Sequence, residues 1–330
     1  MPAPRRGLRS SSTPGDSSSQ KSKQETDFAP SSYSSNPISF TASASSSSSP
    51  EQILILSPHT KLPGLNPKEL TLLRKKQQKL LSSHTTVLSN VPSNPRPLEM
   101  ALASTLIFAQ QEAGTAFLIH PQGWLLTCSH CFGDSPEEYE EDSKMRWLLF
   151  YTGIAVQVEC RFWDPKRDLA LLKVIAIEAD SPQLGKMPQF PYLKLSELTT
   201  PKQIARLPIL CIGQPGAGDL ESSNPNAKTT YDLFEISTGT LKGMVTNVDP
   251  QDCSEIGTLK HDAWTYWGHS GAPLIDEREG GLVGVHSSWD EETAMRHGIP
   301  GVTVREFLTA YGGLFGDVEG GSQENSIVVD

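Results

Sequence analysis

The apolar positions of this chain change period along its length, and the change predicts where its structure lies. From Pro67 to Ser83, Leu70, Leu73, Leu80 and Leu81 fall near one face while Arg74, Lys75, Lys76 and Lys79 crowd another. That is the pattern of an amphipathic helix with a basic side. Asn66 as N-cap and Pro67 in the first turn suit its start, and docking on the body that follows is its expected use, with a partner as the alternative. Ile53 to Leu56 is a short apolar patch before it, and Pro92, Pro95 and Pro97 mark a boundary after it.

Beyond that boundary the pattern becomes short strands separated by turns. The candidates are Ser104–Gln110, Thr115–His120, Trp124–Thr127, Trp147–Tyr151, Ala155–Phe162, Leu169–Ile177, Pro208–Ile212, Phe234–Thr240, Gly243–Val248, Gly271–Ile275, Gly281–His286 and Gly301–Val304. Twelve strands over roughly two hundred residues predict an all-β body of two six-stranded antiparallel barrels. Val304–Tyr311 reads as a closing helix, 214–230 as a long Gly, Asn, Ser and Pro rich loop, and Glu137–Asp142 as an acidic loop. The acid run reads as a solvated surface, with calcium binding as the second possibility.

Composition then divides the 330 residues. The first fifty hold 18 serines and no apolar periodicity, which predicts disorder. The expected organisation is a disordered Ser-rich leader over 1–65, a basic helix and linker over 66–95, the barrel domain over 96–315 and a flexible tail over 316–330. Residues 1–95 carry 11 Lys/Arg against 5 Asp/Glu, and the remainder 17 against 33. So acidic a body argues against a nucleic-acid surface. The basic leader reads as a soluble, phosphorylatable linker, with contact to anionic partners as the alternative.

The five cysteines, Cys128, Cys131, Cys160, Cys211 and Cys253, are odd in number and form no disulfide framework. No long apolar run is present to span a membrane, and the N-terminus lacks the apolar core of a secretory signal. A reducing intracellular location, cytoplasmic or nuclear, is expected. Arg5, Arg6 and Arg9 suggest mitochondrial import as the alternative, although the large apolar residues of an amphipathic presequence are missing.

Chemistry concentrates in three islands: Thr127-Cys128-Ser129-His130-Cys131, Asp168-Leu169-Ala170-Leu171-Leu172-Lys173-Val174, and Gly268-His269-Ser270-Gly271-Ala272-Pro273-Leu274. A serine hydroxyl is a weak nucleophile at its own pKa and needs a base, and the base needs a carboxylate to hold its tautomer. His130, Asp168 and Ser270 supply these groups. Gly268 and Gly271 allow a tight turn that would aim the Gly268 and Ser270 amides at one oxyanion. Zinc at Cys128, His130 and Cys131 would need a fourth ligand, and no second Cys/His pair follows at finger spacing. Asp168 as a plain strand cap and Ser270 as a plain turn serine are the simpler readings that the ordered set outweighs.

On these residues the stretch from about Ala101 to Tyr311 resembles the trypsin-like serine peptidases of the chymotrypsin fold, nearest to the HtrA/Deg-like and glutamyl-endopeptidase-like branches. Gly114-Thr-Ala-Phe-Leu-Ile, Gly123-Trp-Leu-Leu-Thr-Cys-Ser-His, Ile212-Gly213-Gln214-Pro215-Gly216, Thr238-Gly239 with Val245, and Asp262-Ala263 are similar to that family's conserved turns and strands. The order His, Asp, Ser is likewise the one used by double-barrel peptidases. The resemblance implies Greek-key barrels, and an endopeptidase with His130 as base, Asp168 as its orienter and Ser270 as nucleophile. It implies a polypeptide substrate, with no cofactor, metal, nucleic acid or membrane.

It also places Trp264 at the floor of the specificity pocket, which disfavours cationic substrates. Thr265 and His286, with Ser287 beside it, match the residues that read Glu or Gln before the cleaved bond. Three departures stand out. His269 replaces the usual Asp or Asn, so activation by an ion pair to a new N-terminus is not expected. Ala272 replaces the commoner glycine. Gly114 stands where a disulfide partner for Cys131 would be. With nineteen residues after Tyr311, no PDZ-sized module is expected to follow. The competing expectation is a pseudoprotease that binds peptides without cutting them, its site occluded by Trp264, Trp267 and His269.

Overall fold

The computed structural model describes residues 53–58, 60–89, 95–111, 113–179, 189–198, 201–220, 222–224 and 226–311. The flanking elements come first: β1 (Leu54–Leu56), α1 (Pro67–Ser89) and α2 (Pro95–Ser104). The first barrel follows with β2 (Thr105–Phe108), β3 (Thr115–His120), β4 (Trp124–Thr127), a 3-10 turn at Ser129–Cys131, α3 (Pro136–Glu141), β5 (Met145–Phe150), β6 (Ala155–Asp164) and β7 (Leu169–Glu178). After α4 (Pro201–Ile204), the second barrel comprises β8 (Pro208–Gly213), β9 (Glu235–Met244), β10 (Leu259–His261), β11 (Pro273–Asp276), β12 (Leu282–Trp289) and β13 (Arg296–Pro300), closed by α5 (Gly301–Ala310).

Strand order β7-β4-β3-β2-β5-β6, with β6 pairing β7, closes the first barrel, and β10-β13-β12-β11-β8-β9 closes the second. Every pairing within the barrels is antiparallel. This is the two-barrel, chymotrypsin-like architecture that the strand count and the motifs anticipate. Closure leaves the barrels without exposed edges.

Alternation along the strands sorts side chains into three cores. Leu106, Phe108, Leu118, Leu148, Val156, Ala170 and Leu172 form the core of the first barrel. Ile209, Cys211, Leu241, Leu259, Leu274 and Val283 form that of the second. The intervening positions, Ile107, Phe117, Leu149, Leu171, Leu210, Ile212 and Ile275, join a third core with Leu73, Leu80, Leu98, Leu102 and Phe307 from the helices. The two barrels therefore share one apolar seam, and the helices seal it.

Several boundaries differ from the sequence reading, for local reasons. Phe234–Thr240 runs on to Met244 as one strand, β9, because Gly243, at φ +93, bends without ending the pairing, while 245–248 of the expected next strand is coil and turn. Gly301–Val304 opens α5, and the strand lies just before it, at Arg296–Pro300. β10 has three residues and no alternation to betray it. The expected total of twelve barrel strands holds because these differences offset one another. The acidic loop is a short helix with Ser135 as N-cap, and its acids pair with cations, Glu140 with Lys144 at 3.3 Å and Asp142 with Arg146 at 2.6 Å.

Within the span expected to be leader, β1 lies parallel to β7, and Leu62 is buried. The Trp147 indole donates to the Pro63 carbonyl at 3.0 Å. Residues 1–52 lie outside the described residues, as do 312–330. α1 runs past the anticipated Ser83, with Asn66 capping Lys68 and Glu69 amides at 2.9 and 3.0 Å. Its apolar stripe is narrower than the sequence suggests, since Leu81 is 68% exposed whereas Leu73 is fully buried. Leu73→Ala is expected to cost about 2–5 kcal/mol of unfolding free energy in urea titration, and Leu81→Ala within about 0.5 kcal/mol of zero.

Candidate active site

β4 delivers its chain directly into the Ser129–Cys131 turn, and β7 starts immediately after Asp168. Antiparallel pairing of Thr127 with Ala170 brings the two ends together. His130 Nδ1 then sits 2.8 Å from Asp168 Oδ1 and 3.0 Å from Oδ2. A carboxylate only accepts, so Nδ1 carries the proton and Nε2 is the ring's basic nitrogen.

Asp168 is 2% exposed and takes further hydrogen bonds from the His130 amide (3.2 Å), Ser129 Oγ (3.0 Å) and Ser287 Oγ (2.6 Å). Burial alone would raise its pKa, but the facing His130 and these donors hold it below the ordinary value. Its backbone adopts φ 53, a left-handed conformation that aspartate tolerates better than most residues. The Trp163 indole fixes the same turn by donating to the Ser129 carbonyl at 3.0 Å.

Ser270 lies on the connection from β10 to β11. Its hydroxyl donates to the Ser287 carbonyl at 3.3 Å, so Ser287 touches Ser270 with its backbone and Asp168 with its side chain. Gly268 and Gly271 are required here. A Cβ on Gly271, at φ +83, would lie 2.1 Å from the Thr115 carbonyl oxygen, and one on Gly268, at φ +102, would lie 2.4 Å from that of Gln214. The Trp267 carbonyl accepts from the Gly216 amide at 2.6 Å, and that of His269 from the Ala272 amide at 2.8 Å. In trans peptides N–H and C=O point oppositely. The Gly268 and Ser270 amides are thus turned away from those partners, and neither donates to a carbonyl among the described residues.

The bulky residues near Ser270 pack behind this loop. The His269 ring is fully buried, with Nδ1 within 3.2 Å of the Tyr266 amide and 3.1 Å of its carbonyl. The Trp264 ring lies 4.9 Å from that of Tyr231, parallel to Tyr266 and edge-on to His269. Trp267 covers Gly216, where an added Cβ would meet its ring at 2.0 Å.

Of the residues expected in a specificity pocket, Trp264 and His286 both approach His269, with ring centroids 5.5 and 6.4 Å from its own. Trp264 joins the aromatic group just described. Ser287 commits its hydroxyl to Asp168, a role the sequence reading did not assign. Thr265 and His286 are both buried, and His286 Nδ1 lies 3.0 Å from His261 Nε2. His261 escaped the sequence reading because its three-residue strand carries no period, although a histidine two residues after Leu259 was visible. All five cysteines are free. Ligand atoms of Cys128, His130 and Asp168 lie within 4.8 Å of one another, but burial pushes the Cys128 thiol well up and Cys131 to about 12.

A family model described as a trypsin-like peptidase domain matches residues 114–285, just over half of the chain. No curated protein matches the chain. No described helix is long and apolar enough to cross a membrane.

The buried imidazoles set the acid limit of the fold. Burial lowers His261 to about 3 and His269 to about 4, and holds His286 well below 6.5. Unfolded, these groups take up protons near 6.5, and the native state resists doing so. Stability is therefore fully present above about pH 6.5 and falls as pH drops towards 4. The depressed Asp168 acts lower down, its contribution present above 3.8 and lost as pH falls through its native value. Urea midpoints should hold between about pH 7.5 and 6.5 and decline from there to about pH 4.5, and His269→Asn should flatten that slope.

Proposed function

The chain belongs to the trypsin-like peptidase family, and on that premise we propose that it is a serine endopeptidase using Ser270, His130 and Asp168. The observation that carries this reading is the buried, fully donated Asp168 carboxylate holding His130 by Nδ1, with Ser270 tied to the same spot through Ser287. For attack, the Ser270 hydroxyl turns from the Ser287 carbonyl to His130 Nε2. His130 takes its proton as Oγ bonds the scissile carbonyl carbon, then delivers it to the leaving amine. A water, deprotonated by the same imidazole, releases the acyl group.

Negative charge builds on the carbonyl oxygen as Oγ adds, and the outward amides of Gly268 and Ser270 would receive it. A single donor of this kind is worth on the order of 10²–10³ in rate. His269 is compatible with that role because its ring is buried behind the turn. The engagement of Trp264 with Tyr231, Tyr266 and His269, and of Trp267 with Gly216, likewise supports a working enzyme over an occluded one.

For the cleaved position we favour Glu or Gln, as in the glutamyl-endopeptidase-like branch. Among the described residues, His261 Nδ1 is buried without a partner. A bare lone pair there costs less than an unpaired N–H. His261 therefore donates from Nε2, His286 accepts at Nδ1, and His286 Nε2 carries the hydrogen. A side-chain carbonyl oxygen, as in Glu or Gln, matches that donor, with Thr265 beside it.

A fluorophosphonate probe should label the wild type, and Ser270→Ala and His130→Ala should abolish labelling. Asp168→Asn should lower kcat by about 10⁴ through the wrong His130 tautomer. Failure of the wild type to label, with its circular dichroism intact, would sink the peptidase mechanism. Peptides with Glu or Gln at the cleaved position should be cut faster than those with Leu or Ala, and His286→Leu should erase at least about tenfold of that preference. Faster cleavage after Leu or Ala would refute the pocket reading alone.

A further inference from the structure

Lys76, near the middle of α1, is only 5% exposed. Its ammonium turns into the protein and donates to the carbonyls of Phe108 at 2.7 Å and Gln111 at 2.5 Å. Nothing in the proposed chemistry uses it. Burying a lysine is costly unless its donors are satisfied, so a buried one tied to two backbone carbonyls marks a place where the backbone must be held.

Those carbonyls lie at the end of β2 and in its connection to β3, which packs against the Ser270 turn. A Cβ built on Gly268 would come within 2.7 Å of the Ala113 methyl. The Gly114 amide donates to the Gly268 carbonyl at 3.1 Å, Thr115 Oγ1 to the same oxygen at 3.1 Å, and the Thr115 amide to the Ser270 carbonyl at 3.0 Å. The 113–115 segment is therefore the wall on which the 268–270 peptides lean.

One turn further along α1, Lys79 Nζ donates to the Tyr231 carbonyl at 3.3 Å and faces Asp232 at 3.7 Å. The Tyr231 ring in turn lies 4.9 Å from that of Trp264 and 5.5 Å from that of Tyr266. The same helix thus grips both connections that flank the 264–271 loop, one in each barrel.

We propose that Lys76 is a positioning residue for the oxyanion-binding amides, and that α1 is a permanent brace keeping the 268–270 turn with its amides outward. The proposal rests on reading Ser270 as the nucleophile. It also accounts for a neutral residue at 269. His269 supplies bulk but no ion pair, and the fixed charge that steadies the loop arrives from the helix, through the carbonyls of the β2–β3 connection.

The test uses the full chain as Lys76→Met and as Arg74→Ala. Methionine keeps the length of the side chain and removes its donors. Arg74→Ala removes the 2.6 Å ion pair to buried Glu178, loosening α1 without touching the β2–β3 connection. Two quantities are read, the rate at which the fluorophosphonate phosphonylates Ser270 with loss of fluoride at saturating probe, and the hydrogen exchange of residues 113–116.

Lys76→Met should slow phosphonylation by about tenfold or more with unchanged probe affinity, and should speed exchange at Gly114 and Thr115. Arg74→Ala should lower Tm yet leave both quantities within about twofold. Equal losses in the two variants, or a wild-type phosphonylation rate in Lys76→Met, would overturn the brace. Should Lys76→Met not fold, Lys76→Gln carries the same two readouts. If the wild type is itself inert to the probe, the peptidase reading falls separately. The exchange data then decide the brace alone, since unchanged exchange in the lysine variant would dismiss it.

Discussion

The arrangement around Ser270 depends on keeping one carboxylate ionised inside the protein. Asp168 is nearly sealed from solvent, and a buried carboxylate without donors would take up a proton. The fold prevents this with donors from both barrels. The His130 ring and amide and Ser129 Oγ come from the first, and Ser287 Oγ from the second. Because the donors arrive from both sides of the apolar seam, any slippage between the barrels would strip Asp168 of part of its support. Seam packing and site electrostatics are in this sense one constraint.

A second constraint is backbone direction. The Gly268 and Ser270 amides are turned away from Gly216 and Ala272 because the Trp267 and His269 carbonyls accept from those residues. Glycines at 268 and 271 are the only residues that fit those close approaches. Trp264 packs beside this turn. There, with Tyr231, Tyr266 and neutral His269, it makes an aromatic backing in place of an ion pair.

What the chain reveals before folding is set by how local the signal is. His130, Asp168 and Ser270 each sit in an apolar or glycine frame that is legible from a few neighbours, and the long strands are legible in the same way. β10 and β13 were illegible because three to five residues with little alternation carry no period. The hydroxyl of Ser287 was assigned to a pocket since nothing in its neighbours points to Asp168, 119 residues away. Lys76 is the extreme case. It lies on what reads as the solvated basic face of α1, and only the tertiary path of the β2–β3 connection makes that position interior.

The order in which these pieces leave the ribosome follows from the topology. Every strand of the first barrel lies between Thr105 and Glu178, and β1 and α1 precede them. A growing chain can therefore close that barrel, with its flanking helix and its histidine–aspartate contact, before any of the second is made. The serine, its glycines and the hydroxyl of Ser287 belong to the later half. On the proposed reading, a nascent chain of this protein would hold two of its three reacting groups before Ser270 is made, and would acquire cutting chemistry only when its last barrel shuts.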